Sequence, residues 1–207
     1  SESTPDGEHK LGQLVRACQA LATMTRGLGV PCISGKDSMK NDSTRGGVKI
    51  SIPPTLLLST MGWIEDASRA LDLVPGAPGL ALYVLGETRD ELGGSALLHT
   101  LGQHGAGRAP TRDPDETRAL CLALQEAAAA GAVDAAHAPH HGGLGVSLAL
   151  MVLASGLGLE LDLDRLPGAG GLADPAALLF SESGPRFVVA ARAGAGPDLE
   201  AILRRHG

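Results

Sequence analysis

The chain has 207 residues and a formal net charge of −6. A chain of this length is long enough to bury a substantial hydrophobic core, so we expect it to fold without disulfides or a structural metal. Its 17 basic residues are scattered and form no basic stripe of the kind that tracks a phosphate backbone. The composition therefore argues against nucleic acid as a partner.

The cysteines indicate a reducing compartment, and the hydropathy pattern indicates a protein that is neither exported nor in a membrane. Cys18, Cys32 and Cys121 are odd in number and form no CxxC pair, which predicts reduced thiols, each a small core residue. No apolar run approaches the ~20 residues that span a bilayer, and the start SESTPDGEHK is polar and acidic, unlike a signal peptide. We therefore predict a soluble, cytoplasmic protein without a membrane partner.

The first third of the chain predicts one helix followed by strands. Apolar residues recur at helical spacing over residues 11–28, and Gly29 ends this amphipathic helix. A double proline, Pro53-Pro54, predicts an edge or a domain joint. Three segments have the β-branched or alternating pattern of strands: VPCIS at 30–34, residues 48–52, and TLLLSTMGWI at 55–64.

The rest of the chain alternates strands and helices irregularly. Gly-Gly-Ser before Ala96 predicts a helix start whose backbone N–H groups meet an anion or a neighbouring loop. Asp113, with a proline and two acids after it, predicts a second helix, which Gly131 ends. The other predicted elements are strands at 80–86, 159–164 and 186–193, a buried helix at 142–154, a surface loop at 167–175 and a short terminal helix. This order favours an α+β fold with a mixed β-sheet layered with helices.

The glycine loop SGKDS is the first candidate site. It does not match the phosphate loop GxxxxGK[ST], because the first glycine is missing and Asp37 separates the lysine from the serine. By spacing alone, a solvated loop is the favoured interpretation. Its components nevertheless suit an anionic ligand, since Gly35 lets a ligand approach the backbone, Lys36 supplies a charge and Ser38 donates a hydrogen bond.

Two later segments also concentrate polar residues. HAPHHGGLG, residues 137–145, holds three histidines, but a proline and two glycines keep them off a helix face and no fourth ligand is evident. We predict loop and cap residues there, and no metal site. LFSESGPRF, residues 179–187, predicts a turn with an internal Glu182–Arg186 pair, and no Ser-His-Asp constellation can be identified.

Six segments together, in this order, resemble the carboxyl-terminal half of phosphoribosylformylglycinamidine synthase, of the aminoimidazole ribonucleotide synthetase-related superfamily. They are PDGEHKLGQLVRACQAL, GVPCISGKDSMKND, GGVKISIPPTLLLSTMGWIED, YVLGETRDELGGS, HAPHHGGLGVSLALM and LFSESGPRFVV. The resemblance implies that residues 1–53 end an amino-terminal subdomain that carries the glycine loop. Residues 54–207 would form a carboxyl-terminal subdomain that stops before its last strands.

The resemblance also implies an activity. The family converts formylglycinamide ribonucleotide, ATP and glutamine-derived ammonia to the amidine, ADP and phosphate, with Mg²⁺ neutralising the phosphates. By analogy, Gly35 and Lys36 contact the nucleotide, with Lys36 standing where shorter relatives have an asparagine metal ligand, and Ser38 contacts the substrate. The catalytic histidine and the main magnesium acids are expected in a first half that this chain lacks, so we expect the chain alone to be inactive. Expected partners are that half, a glutaminase domain or subunit and a small accessory subunit.

One segment departs from the pattern of the relatives. Where they read His-Asp-x-Ser-Asp/Glu-Gly-Gly-Leu, this chain replaces an acid with Ala138, a serine with His140, a second acid with His141 and, further along, a glutamate with Leu150. Mg²⁺ prefers the oxygen ligands that are lost here, which argues against an auxiliary nucleotide site. An alternative function follows, a catalytically silent half that packs against its partner half, and we expect the isolated chain to self-associate.

Overall fold

The computed structural model of the chain describes residues 5–38, 42–50, 54–172 and 174–207. The chain divides into two compact units, Ser1–Trp63 (unit 1) and Ile64–Gly207 (unit 2). Ile52 and Pro53, at the predicted boundary between subdomains, lie outside the described residues, so that boundary stays a prediction. No helix in the described ranges is long and apolar enough to cross a membrane.

Unit 1 contains one long helix and one hairpin. Helix α1 (Pro5–Leu28) confirms the predicted helix, and Gly29 follows it at φ 70°, although Leu11 and Val15 of its predicted apolar face are exposed. Strands β1 (Ser43–Arg45) and β2 (Val48–Ile50) pair antiparallel. Gly46 and Gly47 join them, both with positive φ, the backbone that a two-residue hairpin turn requires.

Two predicted strands of the first third are wrong. VPCIS and TLLLSTMGWI both run as irregular chain, and the described part of unit 1 contains no strand besides the hairpin. A β-strand is stabilised by hydrogen bonds to a neighbouring strand, which the pattern of its own side chains cannot provide. The apolar side chains of the second segment are therefore exposed, up to 91% for Leu57.

Unit 2 is built on a three-stranded antiparallel sheet of order β3-β5-β4. The strands are β3 (Leu82–Leu85), β4 (Val133–His137) and β5 (Phe187–Ala191), and the helices are α2 (Ala96–Thr100), α3 (Pro114–Ala129), α4 (Gly143–Ser155), α5 (Pro175–Phe180) and α6 (Gly196–His206). Helices and a small antiparallel sheet give the α+β class that the sequence predicted.

The core lies on both faces of this sheet because β5 is apolar at every position. Val189 and Ala191 pack with residues of α3 and α6 on one face. Val188 and Ala190 pack with residues of α4 and α5 on the other. Two helical layers therefore cover the central strand, and the loops that enter these helices are brought to the ends of the sheet.

Three further predictions about burial and strands need correction. Residues 159–164 form no strand, because the Asp162 carboxylate caps a 3₁₀ turn, Leu163–Arg165, by accepting the N–H of Asp164. Helix α4 is covered on one side only, and Leu153 is 78% exposed. The three cysteines are also exposed instead of buried in the core; Cys18 lies on α1, Cys121 on α3 and Cys32 in the segment after Gly29.

We expect the chain to self-associate through the apolar residues 55–63. Leu57, Met61 and Trp63 are each about nine-tenths exposed, and contiguous apolar surface of this kind marks interaction sites. Sedimentation velocity should show association that increases with concentration, and a Met61→Ser/Trp63→Ser variant should raise the dissociation constant at least about tenfold. Glu65→Gln serves as control. A monomer over a wide concentration range would contradict the expectation.

Candidate functional site

Three polar segments of unit 2 meet around the side chain of Glu182. Its Oε1 atom accepts the backbone N–H of Ala96, at the start of α2, at 2.9 Å. The same atom accepts the N–H of Gly142, just before α4, at 2.8 Å. The Nδ1 atom of His141 lies 4.0 Å from it. The predicted contact between the Gly-Gly-Ser helix start and a neighbouring loop is thus confirmed, and the loop is Ser-Glu-Ser.

The start of α4 requires its two glycines. Gly142 and Gly143 have φ of 83° and 66°, a left-handed backbone that favours glycine. A Cβ atom on Gly143 would lie 2.5 Å from the carbonyl oxygen of Ser181 and 2.9 Å from that of Leu179. The close approach of the two backbones places the start of α4 against the Ser-Glu-Ser turn.

Arg186 holds the inside of that turn. Its side chain is 3% exposed, and its guanidinium donates to the carbonyls of Ser183 at 2.8 Å and Ser181 at 2.6 Å, and to the Thr88 hydroxyl at 2.9 Å. Burial, and after it the nearby Arg112, lower the pKa of Arg186 to about 10. The predicted Glu182–Arg186 pair is wrong, because the carboxylate faces backbone amides and the guanidinium faces backbone carbonyls.

Sequence reasoning missed a second buried charge close to this turn. Glu91 is 1% exposed, and its Oε1 atom accepts from the N–H and the hydroxyl of Thr111 at 3.1 and 2.8 Å. Its Oε2 atom has no hydrogen-bond partner in the part of the chain that the structure describes. Arg89 contacts both carboxylate oxygens of Glu116 at 3.0 Å. The segment ETRDELGGS carries charged residues directly after a strand, and this pattern was the signal in the sequence that could have indicated Glu91.

Two histidines of this region lie close together. The rings of His137 and His140 lie 5.8 Å apart, and burial, then the nearby His140, lower the pKa of His137. Among the described residues, no three histidine, cysteine, aspartate or glutamate side chains are grouped so that they could hold a metal ion. Imidazoles are also poor substitutes for the oxygen ligands that Mg²⁺ prefers.

The glycine loop lies in unit 1, and its predicted residues are exposed. The Lys36 ammonium donates to the Ser38 hydroxyl oxygen and to the Asp37 carbonyl, both at 2.6 Å. A Cβ on Gly35 would meet no atom within 4 Å. Lys36 and Ser38 are thus in contact, and the space beside the Gly35 backbone is open. That these residues bind a nucleotide or substrate stays a prediction. Residues 39–41 of the same motif lie outside the described ranges.

Known proteins resemble the chain in both sequence and fold. The family model of AIR synthase related protein, C-terminal domain, matches residues 77–207. Phosphoribosylformylglycinamidine synthase subunit PurL of Thermobifida fusca is 34% identical over 205 residues, which cover 99% of this chain and 25% of the relative. The same subunit of Pyrobaculum aerophilum is 35% identical over 184 residues, which cover 89% of this chain and 25% of the relative. The chain thus spans about a quarter of the length of these curated relatives.

Solved structures agree on the fold. PurL of Thermotoga maritima complexed with FGAR has a TM-score of 0.61 at 23% identity, with 68% of this chain and 24% of the other covered. The complex of the same protein with ATP gives a TM-score of 0.54 with 68% and 22% covered. At this identity the likeness shows the fold alone. The family model matches residues 77–207, which are well over half of this chain. The chain therefore belongs to the AIR synthase related proteins through their C-terminal domain.

Proposed function

We propose that the chain is part of a cytoplasmic phosphoribosylformylglycinamidine synthase, the ATP-dependent ligase of de novo purine biosynthesis. One observation carries the proposal: the similarity to subunit PurL of that synthase extends over 99% of the chain at 34% identity. It therefore includes the glycine loop as well as the C-terminal domain. In this proposal the chain supplies a nucleotide- and substrate-binding loop together with a scaffold.

The geometry of the glycine loop supports a role in binding phosphate groups. When the Ser38 oxygen accepts a hydrogen bond from Lys36, its own hydroxyl hydrogen is directed elsewhere and can reach a phosphoryl oxygen. A lysine ammonium has three donors, of which the described contacts use two. We assign Gly35 and Lys36 to the nucleotide and Ser38 to the substrate.

The proposed reaction proceeds in two steps. ATP transfers its terminal phosphoryl group to the amide oxygen of formylglycinamide ribonucleotide, which releases ADP. Ammonia then attacks the activated carbon, the C–O bond to the phosphate breaks, and loss of a proton leaves the amidine. The charge of Lys36 would stabilise negative charge that develops on the phosphoryl oxygens.

The remaining parts of the reaction are assigned to sequence beyond this chain. The described residues offer no cluster that fits Mg²⁺, so we assign the magnesium ligands and the catalytic histidine to the other half of the enzyme. The chain alone is then inactive. A solved assembly named PurLQS from Thermotoga maritima supports further subunits as partners, among them a glutaminase that supplies ammonia and a small accessory subunit.

A second function, a scaffold half without a ligand of its own, is favoured by a different observation. Around His140 and His141 no magnesium-binding cluster is present among the described residues, and an internal carboxylate already occupies the amides of Ala96 and Gly142. Unit 2 then serves to pack against the partner half, with the exposed Leu153 of α4 as part of its contact surface.

Calorimetric titration of the chain with Mg·ATP distinguishes these two functions. We expect saturable binding that a Lys36→Ala/Ser38→Ala variant weakens at least about tenfold, since two charge-assisted hydrogen bonds are lost. Lys49→Ala removes the same charge from β2, where Lys49 pairs with Asp42, and should leave binding unchanged. Absence of binding by a folded sample would favour the scaffold, and equal loss in both variants would contradict the assigned residues.

A further inference from the structure

The side chain of Glu182 connects segments that are distant in sequence. One oxygen atom accepts two backbone N–H bonds, from residues 86 and 40 positions away along the chain. Both donors are backbone N–H groups, and no side chain of either residue takes part in the contact. A single carboxylate therefore fixes the entrances of two helices, α2 and α4, against the turn that precedes β5.

Helix α4 has no cap of its own. Gly142 has no side chain, and no side-chain hydrogen bond from its own first turn caps the helix. The first N–H groups of a helix need acceptors, and the helix dipole makes an anionic acceptor the more favourable one. Glu182 provides that acceptor from another part of the chain.

The backbone of Glu182 is held on both sides, so its carboxylate is presented in a fixed position. Its carbonyl oxygen accepts from the Arg112 guanidinium at 2.8 Å. Its neighbours Ser181 and Ser183 both bond to the backbone of Arg89. The side chain is 17% exposed. Within the described ranges, His141 at 4.0 Å is the one basic side chain within ion-pair distance of this carboxylate.

We propose that Glu182 is a positioning residue, an internal anion around which the Gly-Gly-Ser and His-His-Gly-Gly loops take up their positions. Charge and shape are both required, because the two amides converge on one oxygen and a neutral acceptor binds them more weakly than a carboxylate does. The inference concerns the order of these loops alone. It does not depend on whether the chain binds ATP.

Amide hydrogen exchange at Ala96 and Gly142, measured by NMR, tests this role. In a Glu182→Ala variant both amides should exchange at least about tenfold faster, because each loses a charge-assisted hydrogen bond. Sodium formate should slow the exchange again by occupying the vacated position, whereas sodium chloride at equal ionic strength should not. Glu87→Ala removes the same charge from a side chain that is 64% exposed and should change neither amide.

Two outcomes would overturn the proposal. One is unchanged exchange at both amides in the folded Glu182→Ala variant, and the other is equal recovery with formate and with chloride. If that variant does not fold, Glu182→Gln provides the test, because it keeps the shape of the side chain and removes its charge. In the Glu182→Gln variant, the amide proton resonances of Ala96 and Gly142 should both move from their wild-type positions. If both resonances stay at their wild-type positions, the proposal that Glu182 acts as an internal anion is wrong.

Discussion

Replacing Arg186 with methionine should lower the free energy of unfolding of the chain by about 3–5 kcal/mol. The guanidinium is 3% exposed and bonds the carbonyls of Ser181 and Ser183 and the Thr88 hydroxyl. Methionine fills much of the same space but leaves these acceptors without donors in an interior that water does not reach. Urea unfolding followed by far-ultraviolet circular dichroism measures the loss.

Arg118→Met is the matched control for this experiment. Arg118 is exposed on α3, and surface substitutions of this kind change the free energy of unfolding by no more than about 0.5 kcal/mol. A loss below about 1 kcal/mol for Arg186→Met would show that the turn can rearrange to satisfy its own carbonyls. In that case the buried cation would not be what holds the Ser-Glu-Ser segment in place.

Replacing Gly143 with alanine should destabilise the chain by about 3–5 kcal/mol, from the left-handed backbone and from overlap with a neighbour. The added Cβ would lie 2.5 Å from the Ser181 carbonyl oxygen. That oxygen cannot easily move away, because Arg186 holds it at 2.6 Å. The same urea unfolding measurement reports the effect.

Gly156→Ala separates the two causes. Gly156 ends the same helix at φ 69°, nearly the φ of Gly143, but a Cβ there would meet no atom within 4 Å. The Gly156→Ala substitution should therefore lower the free energy of unfolding by about 1–2 kcal/mol, which is the contribution of the left-handed backbone alone. Equal losses in the two variants would mean that the close approach between α4 and the Ser-Glu-Ser turn contributes nothing to stability.

Local signals in the sequence predicted most of the helices correctly. Asp113 caps α3 as expected, since its carboxylate accepts the N–H groups of Asp115 and Glu116, and Gly131 follows the helix at φ 71°. Such caps depend on residues within one turn of the helix. The strands of unit 2 at 80–86 and 186–193 were also predicted, because both segments are apolar runs; β5 is almost fully buried, whereas Leu82 of β3 is 37% exposed. VPCIS has a similar pattern but no partner strand among the described residues, which its own side chains cannot reveal, whereas residues 159–164 turn at Asp162, whose carboxylate accepts the N–H of Asp164.

The candidate site was predictable in its parts but not in its connections. The sequence drew attention to the segments of Ala96, His137–Gly145 and Ser181–Arg186, and the structure brings these three together. Whether Glu182 would face Arg186 or distant amides is decided by contacts between segments that are far apart in sequence, not by neighbours in sequence. Glu91 was overlooked because a glutamate after a strand usually lies in solvent.

The order of the strands also affects how the chain can fold during synthesis. The central strand β5 is the last of the three to leave the ribosome, and β3 and β4 each pair with β5 and not with one another. Until residues 187–191 emerge, the two earlier strands have no partner in the sheet, and the apolar helices that will cover it have nothing to pack on. Unit 2 must therefore complete its sheet late, and the apolar segments that will cover the sheet stay exposed until β5 has been made.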